Sequence, residues 1–131
     1  MSEEEKVIII DNGSHSTKTG FSGNKEPHSV FNTEIGRSKY QAHVSGGKFK
    51  NYYVGNEAQQ LAGVLDFTYP ITHGIITKID DMEKIWHHIF YNELKIDPSE
   101  HSVLLAEPFM NPLTNSESIV TSMFEHFNVP S

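Results

Sequence analysis

The chain has 131 residues, of which 37% are hydrophobic and 21% charged, and its formal net charge is −7. This composition is typical of one globular domain, and the negative charge argues against a general binder of nucleic acid or of anionic membranes, which carries a basic face. The absence of cysteine excludes disulfides and thiolate metal sites, and together with an acidic N-terminus it favours a cytoplasmic protein.

The first predicted element is a buried strand over residues 7–10, where four apolar, mostly β-branched residues follow one another. Asn-Gly after this run predicts a β-hairpin, and residues 17–22 alternate like a returning strand. The turn also has the composition of a phosphate site. The two interpretations are compatible, because a hairpin can itself hold an anion.

Four residues at this turn carry the chemistry of a polyphosphate site. Gly13 lets backbone N–H groups approach phosphate oxygens closely, Ser14 adds a hydroxyl donor, and Lys18 supplies a compact positive charge. Asp11, at the end of the strand, is placed to hold a divalent cation directly or through its water shell. One charge-assisted hydrogen bond from a lysine contributes about 1.5–3 kcal/mol, so a nucleotide site needs further groups.

The middle of the chain predicts a small inserted subdomain. A third strand is expected at residues 29–31, and the sequence changes in character over residues 34–69. Residues 40–51 mix glycine, lysine and isolated apolar groups without a period, which indicates a mobile surface loop. We therefore predict a core made of residues 1–33 and 70–131, into which residues 34–69 are inserted.

Two helices and a strand complete the predicted order, which is that of an α/β fold. Asp80 with Glu83 three residues later predicts a capped start for the first helix, and Thr114 with Glu117 predicts one for the second. Between the helices, residues 103–106 form an apolar run that is typical of a buried strand in a covered sheet. Each helix has a predicted apolar stripe, formed by Met82, Ile85, Trp86, Ile89, Phe90 and Leu94 in the first and by Ile119, Val120, Met123, Phe124 and Phe127 in the second.

Eight histidines raise the question of a metal site. Glu83 and His87 are one helical turn apart, with His88 adjacent, but no His-Glu-x-x-His pattern and no third ligand accompany them. His87 is therefore expected to pack beside Trp86 or to face solvent.

Several long blocks of the sequence closely resemble actin, over nearly the whole chain from Val7 onward. The most specific block is Asp-Asp-Met-Glu-Lys-Ile-Trp-His-His at residues 80–88. Further matches lie at residues 11–14, 53–59, 69–75, 92–94 and 123–125, with Lys18, Gly20-Phe21 and Gly36-Arg37 between them. The resemblance implies the fold shared by actin, the Hsp70 ATPase domain and sugar kinases, here in part. In that family two lobes enclose ATP and a divalent cation, and the monomers polymerise into filaments.

The resemblance also implies roles for individual residues. It places Asp11 near Mg²⁺ or Ca²⁺, and it places at the phosphates of ATP the residues Asn12, Gly13, Ser14, His15 and Lys18. His15 stands where actin has glycine, and an imidazole there can crowd the loop or obstruct a backbone conformation that glycine adopts freely. His73 matches the histidine that members of the family often methylate.

The expected function is that of an actin-like cytoskeletal protein carrying the first phosphate-binding loop. Residue 131 corresponds to a point before the second phosphate loop and the second lobe of an actin, so this chain alone is not expected to hydrolyse ATP. The alternative is a non-enzymatic module that binds actin filament subunits or actin-binding proteins through residues 40–51 and the acidic N-terminus, or an inactive truncated product. None of these hypotheses involves nucleic acid or a membrane.

Overall fold

The computed structural model describes residues 6–39 and 50–131, which form strands and helices in an α/β order. The strands are β1 (Ile8–Asn12), β2 (Ser16–Phe21), β3 (Ser29–Asn32), β4 (Ile35–Ser38), β5 (Leu65–Thr68), β6 (Ile71–Thr72), β7 (Ile75–Ile76) and β8 (Val103–Leu105). The helices are α1 (Asn56–Gln60), α2 (Ile79–His88) and α3 (Leu113–Thr121), with 3₁₀ turns at Ala62–Val64 and Pro98–Glu100. Single π-helical turns, Ile89–Glu93 and Ser122–His126, continue α2 and α3. No helix among the described residues is both long enough and apolar enough to cross a membrane.

A four-stranded mixed sheet with the order β3-β2-β1-β8 lies at the centre. β1, β2 and β3 pair antiparallel, and β8 joins β1 in parallel. The predicted hairpin and the predicted third strand are confirmed. β1 runs two residues further than predicted, because Asp11 pairs with Lys18 and Asn12 pairs with Thr17 across the ladder.

The two faces of this sheet differ, as the period of two along a strand requires. The inner face is buried and contributes Ile8, Ile10, Thr17, Thr19 and Phe31. The outer face is exposed and contributes Ile9, Asp11, Lys18, Val30 and Leu104. The prediction that residues 103–106 lie in a covered sheet is therefore wrong for Leu104, whose exposure is 61%, because the described helices cover the inner face alone.

α2 supplies the centre of the hydrophobic core. All six members of its predicted stripe are buried, which confirms the helical period. In α3 the stripe is confirmed for Ile119, Met123 and Phe127, which lie on one row and bring the Phe127 ring to 5.1 Å from that of Phe90. Val120 and Phe124 are half exposed, because their row turns away from α2.

Both predicted helix caps are wrong. α2 begins after Lys78 and α3 begins after Pro112, and neither start has a side-chain cap. Asp80 lies within the first turn of α2, where a negative charge still interacts favourably with the helix dipole. The next residue, Asp81, forms an ion pair with Arg37 over 2.7 Å.

The segment predicted as an insertion has a small core of its own. β4 and β5 pair antiparallel, Tyr53 bridges to Gly36, and α1 packs against them. The buried residues of this second cluster are Tyr53, Ala58 and Leu65. Residues 40–49 of the predicted loop lie outside the described residues, and the division of the chain at residues 34 and 69 stays a prediction.

Candidate functional site

The β1–β2 hairpin turns tightly at residues 13–16. The N–H group of Gly13 donates a hydrogen bond to the carbonyl oxygen of Ser16 over 2.9 Å. A Cβ atom at position 13 would lie 2.9 Å from the same oxygen, closer than side-chain carbons approach backbone oxygens. Glycine is therefore required here by the close approach of the two strands.

A chain of buried and partly buried hydrogen bonds holds the base of the hairpin. The indole Nε1 of Trp86 donates to Oδ1 of Asn12 over 3.0 Å, and Nδ2 of Asn12 donates to Oγ1 of Thr17 over 3.2 Å. The hydroxyls of Thr17 and Thr33 lie 2.7 Å apart. The side-chain amide of Asn12 is thus used inside the protein and does not reach the outer face of the sheet.

The tip of the hairpin is braced from two sides. The carbonyl oxygen of His15 accepts a hydrogen bond from the N–H of Thr33 over 2.9 Å. Oγ of Ser14 accepts one over 2.8 Å from the N–H of Gly74, in the turn between β6 and β7. This second turn has left-handed backbone at His73 and Gly74, with φ values of 52° and 80°. Two hairpin turns that are far apart in the sequence therefore lie side by side.

Two backbone donors at the tip have no partner within the described part of the chain. The N–H groups of Ser14 and His15 form no hydrogen bond to any residue of 6–39 or 50–131. Both residues lie at the surface, Ser14 partly covered and His15 exposed. A braced turn with two adjacent N–H groups available is a suitable site for an anion.

The predicted charged pair lies on the outer face of the sheet. Asp11 and Lys18 are directly opposite each other on β1 and β2, and both are exposed. Neither forms an ion pair with another described residue. They line a shallow depression of about 190 Å³, whereas Ser14 and His15 line a separate cleft of about 630 Å³. The structure brings the predicted residues together in two neighbouring pairs.

A comparison with known protein families identifies the fold. The family model described as Actin matches residues 2–131, which is almost the whole chain. The chain belongs to the actin family. The α/β fold predicted from the resemblance is confirmed by this match together with the mixed sheet and its helices.

The actin-family chain accommodates His15 without backbone strain. Positive φ angles outside glycine occur at His73, Lys95, Met110 and Asn128, so His15 is not in the left-handed region. The expectation that an imidazole obstructs a conformation reserved for glycine is therefore wrong at this position. The side chain of His15 extends to the surface and forms part of the wall of the larger cleft.

A third depression, of about 350 Å³, lies between α2 and the segment around Tyr53. Its charged groups already pair with one another, since Lys50 lies 2.8 Å from Glu57 and Nε2 of His88 lies 2.9 Å from Glu93. His87 is exposed at its rim and stacks on Tyr91 with the ring centroids 4.6 Å apart, as the prediction of a solvent-facing residue allows. No group of three or more potential metal ligands occurs within residues 6–39 and 50–131.

Sequence reasoning found the residue types of the site but missed its supports. The bonds from Trp86 to Asn12 and from Gly74 to Ser14 join residues 74 and 60 positions apart. The first bond has no local signal in the sequence. The second has only a weak one, the His-Gly dipeptide at residues 73–74, which is compatible with a tight turn.

Proposed function

We propose that the β1–β2 hairpin of this actin-family chain is a phosphate-binding loop for ATP, with Asp11 beside the divalent cation, Mg²⁺ or Ca²⁺. The observation that supports the proposal most directly is the geometry of the tip. A Cβ atom at Gly13 would be too close to the backbone, and the turn presents the N–H groups of Ser14 and His15, which have no partner within residues 6–39 and 50–131. Phosphate sites in other proteins use backbone donors of this kind.

The neighbouring side chains fit an oxyanion. Oγ of Ser14 accepts one hydrogen bond from Gly74, so its O–H group can still donate to a ligand. Lys18 is exposed and has no acidic partner among the described residues, so its charge is available to a phosphate. The side chain of Asn12 is turned inward, so a contribution from this residue would come from its backbone.

Asp11 fits the role of a single carboxylate near a hydrated cation. It is exposed on the same face of the sheet as Lys18. Mg²⁺ usually keeps several waters and is bound through one or two carboxylates together with phosphate oxygens. Bound ATP would supply those phosphate oxygens, so Asp11 would be the one carboxylate that this chain contributes to the cation.

Titration of the purified chain with Mg·ATP tests the proposal. Lys18→Ala removes one charge-assisted hydrogen bond, worth about 1.5–3 kcal/mol, so the affinity should fall roughly tenfold to a hundredfold. Lys39→Ala is the matched control, because it removes one exposed positive charge outside the hairpin, at a residue whose backbone is bonded to Val64. Its affinity should stay within about twofold of the wild type. Equal affinities of the two variants, or no binding to the wild type, would reject the site.

We further propose that the chain associates with actin filament subunits or actin-binding proteins, and hence with the cytoskeleton in the cytoplasm. Residues 40–51 and the acidic N-terminus remain the predicted contacts, although residues 40–49 and 1–5 lie outside the described residues. A separate observation favours a protein contact. Three apolar side chains are exposed from the loop after β8 to the first residue of α3, namely Phe109 at 95%, Met110 at 84% and Leu113 at 73%. Adjacent exposed apolar side chains often mark an interaction surface.

Co-sedimentation with actin filaments tests this second proposal. A variant with Phe109→Ser and Met110→Ser should pellet less than the wild type, because it loses the exposed apolar surface. Val120→Ser is the control, since Val120 is exposed to 51% on α3 and lies outside that group of three. If the wild type does not pellet with filaments, or if all three proteins pellet equally, the contact is not at this surface.

A further inference from the structure

The cleft at the hairpin tip has no carboxylate among the residues of 6–39 and 50–131 that line it. Its walls are formed by Ser14, His15, Tyr69, Ile71, Thr72 and His73. The polar members carry hydroxyl or imidazole groups, all of which can donate hydrogen bonds. The chemistry of the lining therefore favours an oxyanion as the ligand and disfavours a bare cation.

His15 is the residue of this cleft that follows Ser14 directly at the tip. Its backbone is held by the bond from the N–H of Thr33, and its neighbour Ser14 is held by Gly74. The imidazole is exposed and belongs to the same cleft wall as the Ser14 hydroxyl. Because these hydrogen bonds hold the backbone, the imidazole of His15 lies beside the proposed phosphate site, where protonation would add a positive charge. Histidine is the side chain that changes charge between about pH 5 and 8.

We infer that His15 makes triphosphate binding at this hairpin depend on protonation. The imidazolium form donates a charge-assisted hydrogen bond to a phosphate oxygen, and the neutral form does so with about half the strength. Affinity therefore rises as the pH falls and His15 takes up its proton. The inference rests on the proposed function, because it concerns the regulation of the same site.

Other ionisable groups lie near His15 and could also make binding depend on pH. His73 and Tyr69 line the same cleft as His15, and Glu34 follows Thr33, where it is hydrogen-bonded to Gln59. On the hairpin itself the charged neighbours are Asp11 and Lys18, on the outer face of the sheet. His73 is a second histidine of this cleft, so it needs its own variant.

The experiment measures the affinity of the full chain for Mg·ATP at about pH 6 and about pH 8, for the wild type and for His15→Gln, His15→Gly and His73→Gln. The ratio of wild-type affinity to that of His15→Gln should be roughly fivefold at the lower pH and near one at the higher pH. The titration of the nucleotide itself cancels in this ratio. His15→Gly should behave like His15→Gln, and His73→Gln should keep the pH dependence of the wild type.

A second readout follows from linkage between proton and ligand. The pH midpoint of the His15 Cε1–H resonance should move upward when Mg·ATP is bound, because binding that favours the protonated ring must in turn favour its protonation. Far-UV circular dichroism of each variant checks that the exposed substitution leaves the fold intact.

The outcomes separate the two proposals. Absence of Mg·ATP binding at both pH values overturns the proposed function and this inference with it. Binding that is weakened by Lys18→Ala but shows the same ratio at both pH values overturns the role of His15 alone. Loss of the pH dependence in His73→Gln, with no loss in His15→Gln, also overturns that role.

Discussion

The indole N–H of Trp86 donates a hydrogen bond over 3.0 Å to Oδ1 of Asn12 and thereby ties the central helix to the last residue of β1. Trp86 is completely buried, so its N–H group has no access to water in place of Asn12. The position of the hairpin, and of every candidate ligand on it, therefore depends on a contact between α2 and β1 inside the core. This relationship leads to the first prediction.

Asn12→Ala should lower the free energy of unfolding by about 1–3 kcal/mol, because it leaves a buried indole donor without an acceptor. Urea denaturation followed by Trp86 fluorescence and by circular dichroism measures the loss. Asn24→Ala is the matched control, since Asn24 is exposed and its observed hydrogen bond comes from its backbone. The control should change the free energy by no more than about 0.5 kcal/mol. A similar loss in both variants would show that the Trp86 bond contributes little.

Gly13→Ala should destabilise the hairpin, since the new Cβ atom would lie 2.9 Å from the backbone oxygen of Ser16. Relief requires a backbone shift, for which we expect a loss of about 1–3 kcal/mol in thermal or urea unfolding. Gly63→Ala is the control, because no atom lies within 4 Å of a Cβ placed there and its φ is not positive. The control should be neutral or slightly stabilising. Unchanged stability of Gly13→Ala would contradict the observed turn geometry.

The Arg37–Asp81 ion pair should make stability depend on acid pH. Partial burial raises the pKa of Asp81. The hydrogen bond and charge of Arg37, with smaller effects of Thr68 and Lys84, lower this pKa by more than burial raises it, so its net value is below 3.8. Between the folded and the unfolded pKa of Asp81, the unfolded chain binds more protons than the folded chain. The stabilisation by this ion pair is therefore complete above about pH 3.8 and is lost as the pH falls through the folded pKa.

Arg37→Met tests this dependence by removing the partner of Asp81. At neutral pH we expect a loss of about 1–2 kcal/mol, modest because Arg37 is about one-third exposed. The loss of stability between neutral and acid pH should be smaller than in the wild type. Lys39→Met, which removes an exposed positive charge elsewhere, should keep the wild-type profile. Parallel profiles for wild type and Arg37→Met would exclude the ion pair as the cause.

His87 should reduce stability in mildly acid solution. Partial burial lowers its pKa below 6.5, and the neighbouring His126 and His88 lower it further. Below about pH 6.5 the unfolded chain takes up a proton that the folded chain resists, so stability decreases until the folded pKa is passed. His87→Gln should flatten the curve of unfolding free energy between pH 7 and the acid range. Asn24→Ala, which changes an exposed side chain that does not titrate, should leave the shape of the curve unchanged.

Periodicity predicted the main elements because it reports which face of an element is buried. The six apolar residues of α2 recur at helical spacing and all are buried, and the apolar run of β1 forms the first strand of the predicted hairpin. Asn-Gly does not form the turn in the way its chemistry predicts, because Asn12 is paired with Thr17 at the end of β1 and neither Asn12 nor Gly13 has a positive φ. The helix caps failed because both helices begin earlier than predicted. Asp80 lies inside the first turn of α2, which starts after Lys78, and Thr114 lies inside the first turn of α3, which starts after Pro112.

The sequence by itself determined the family, the order of strands and helices, and the residue types available at the turn, since these follow from short-range patterns and from long matching blocks. Only the tertiary structure decided how those residues are used. It turned the Asn12 amide inward to Trp86, placed Gly74 against Ser14, and divided the candidate ligands between the open sheet face and the cleft. The physical reason is that these contacts join residues 60 and 74 positions apart. Such contacts arise when α2 and the β6–β7 turn pack against the hairpin, and no local propensity encodes that packing.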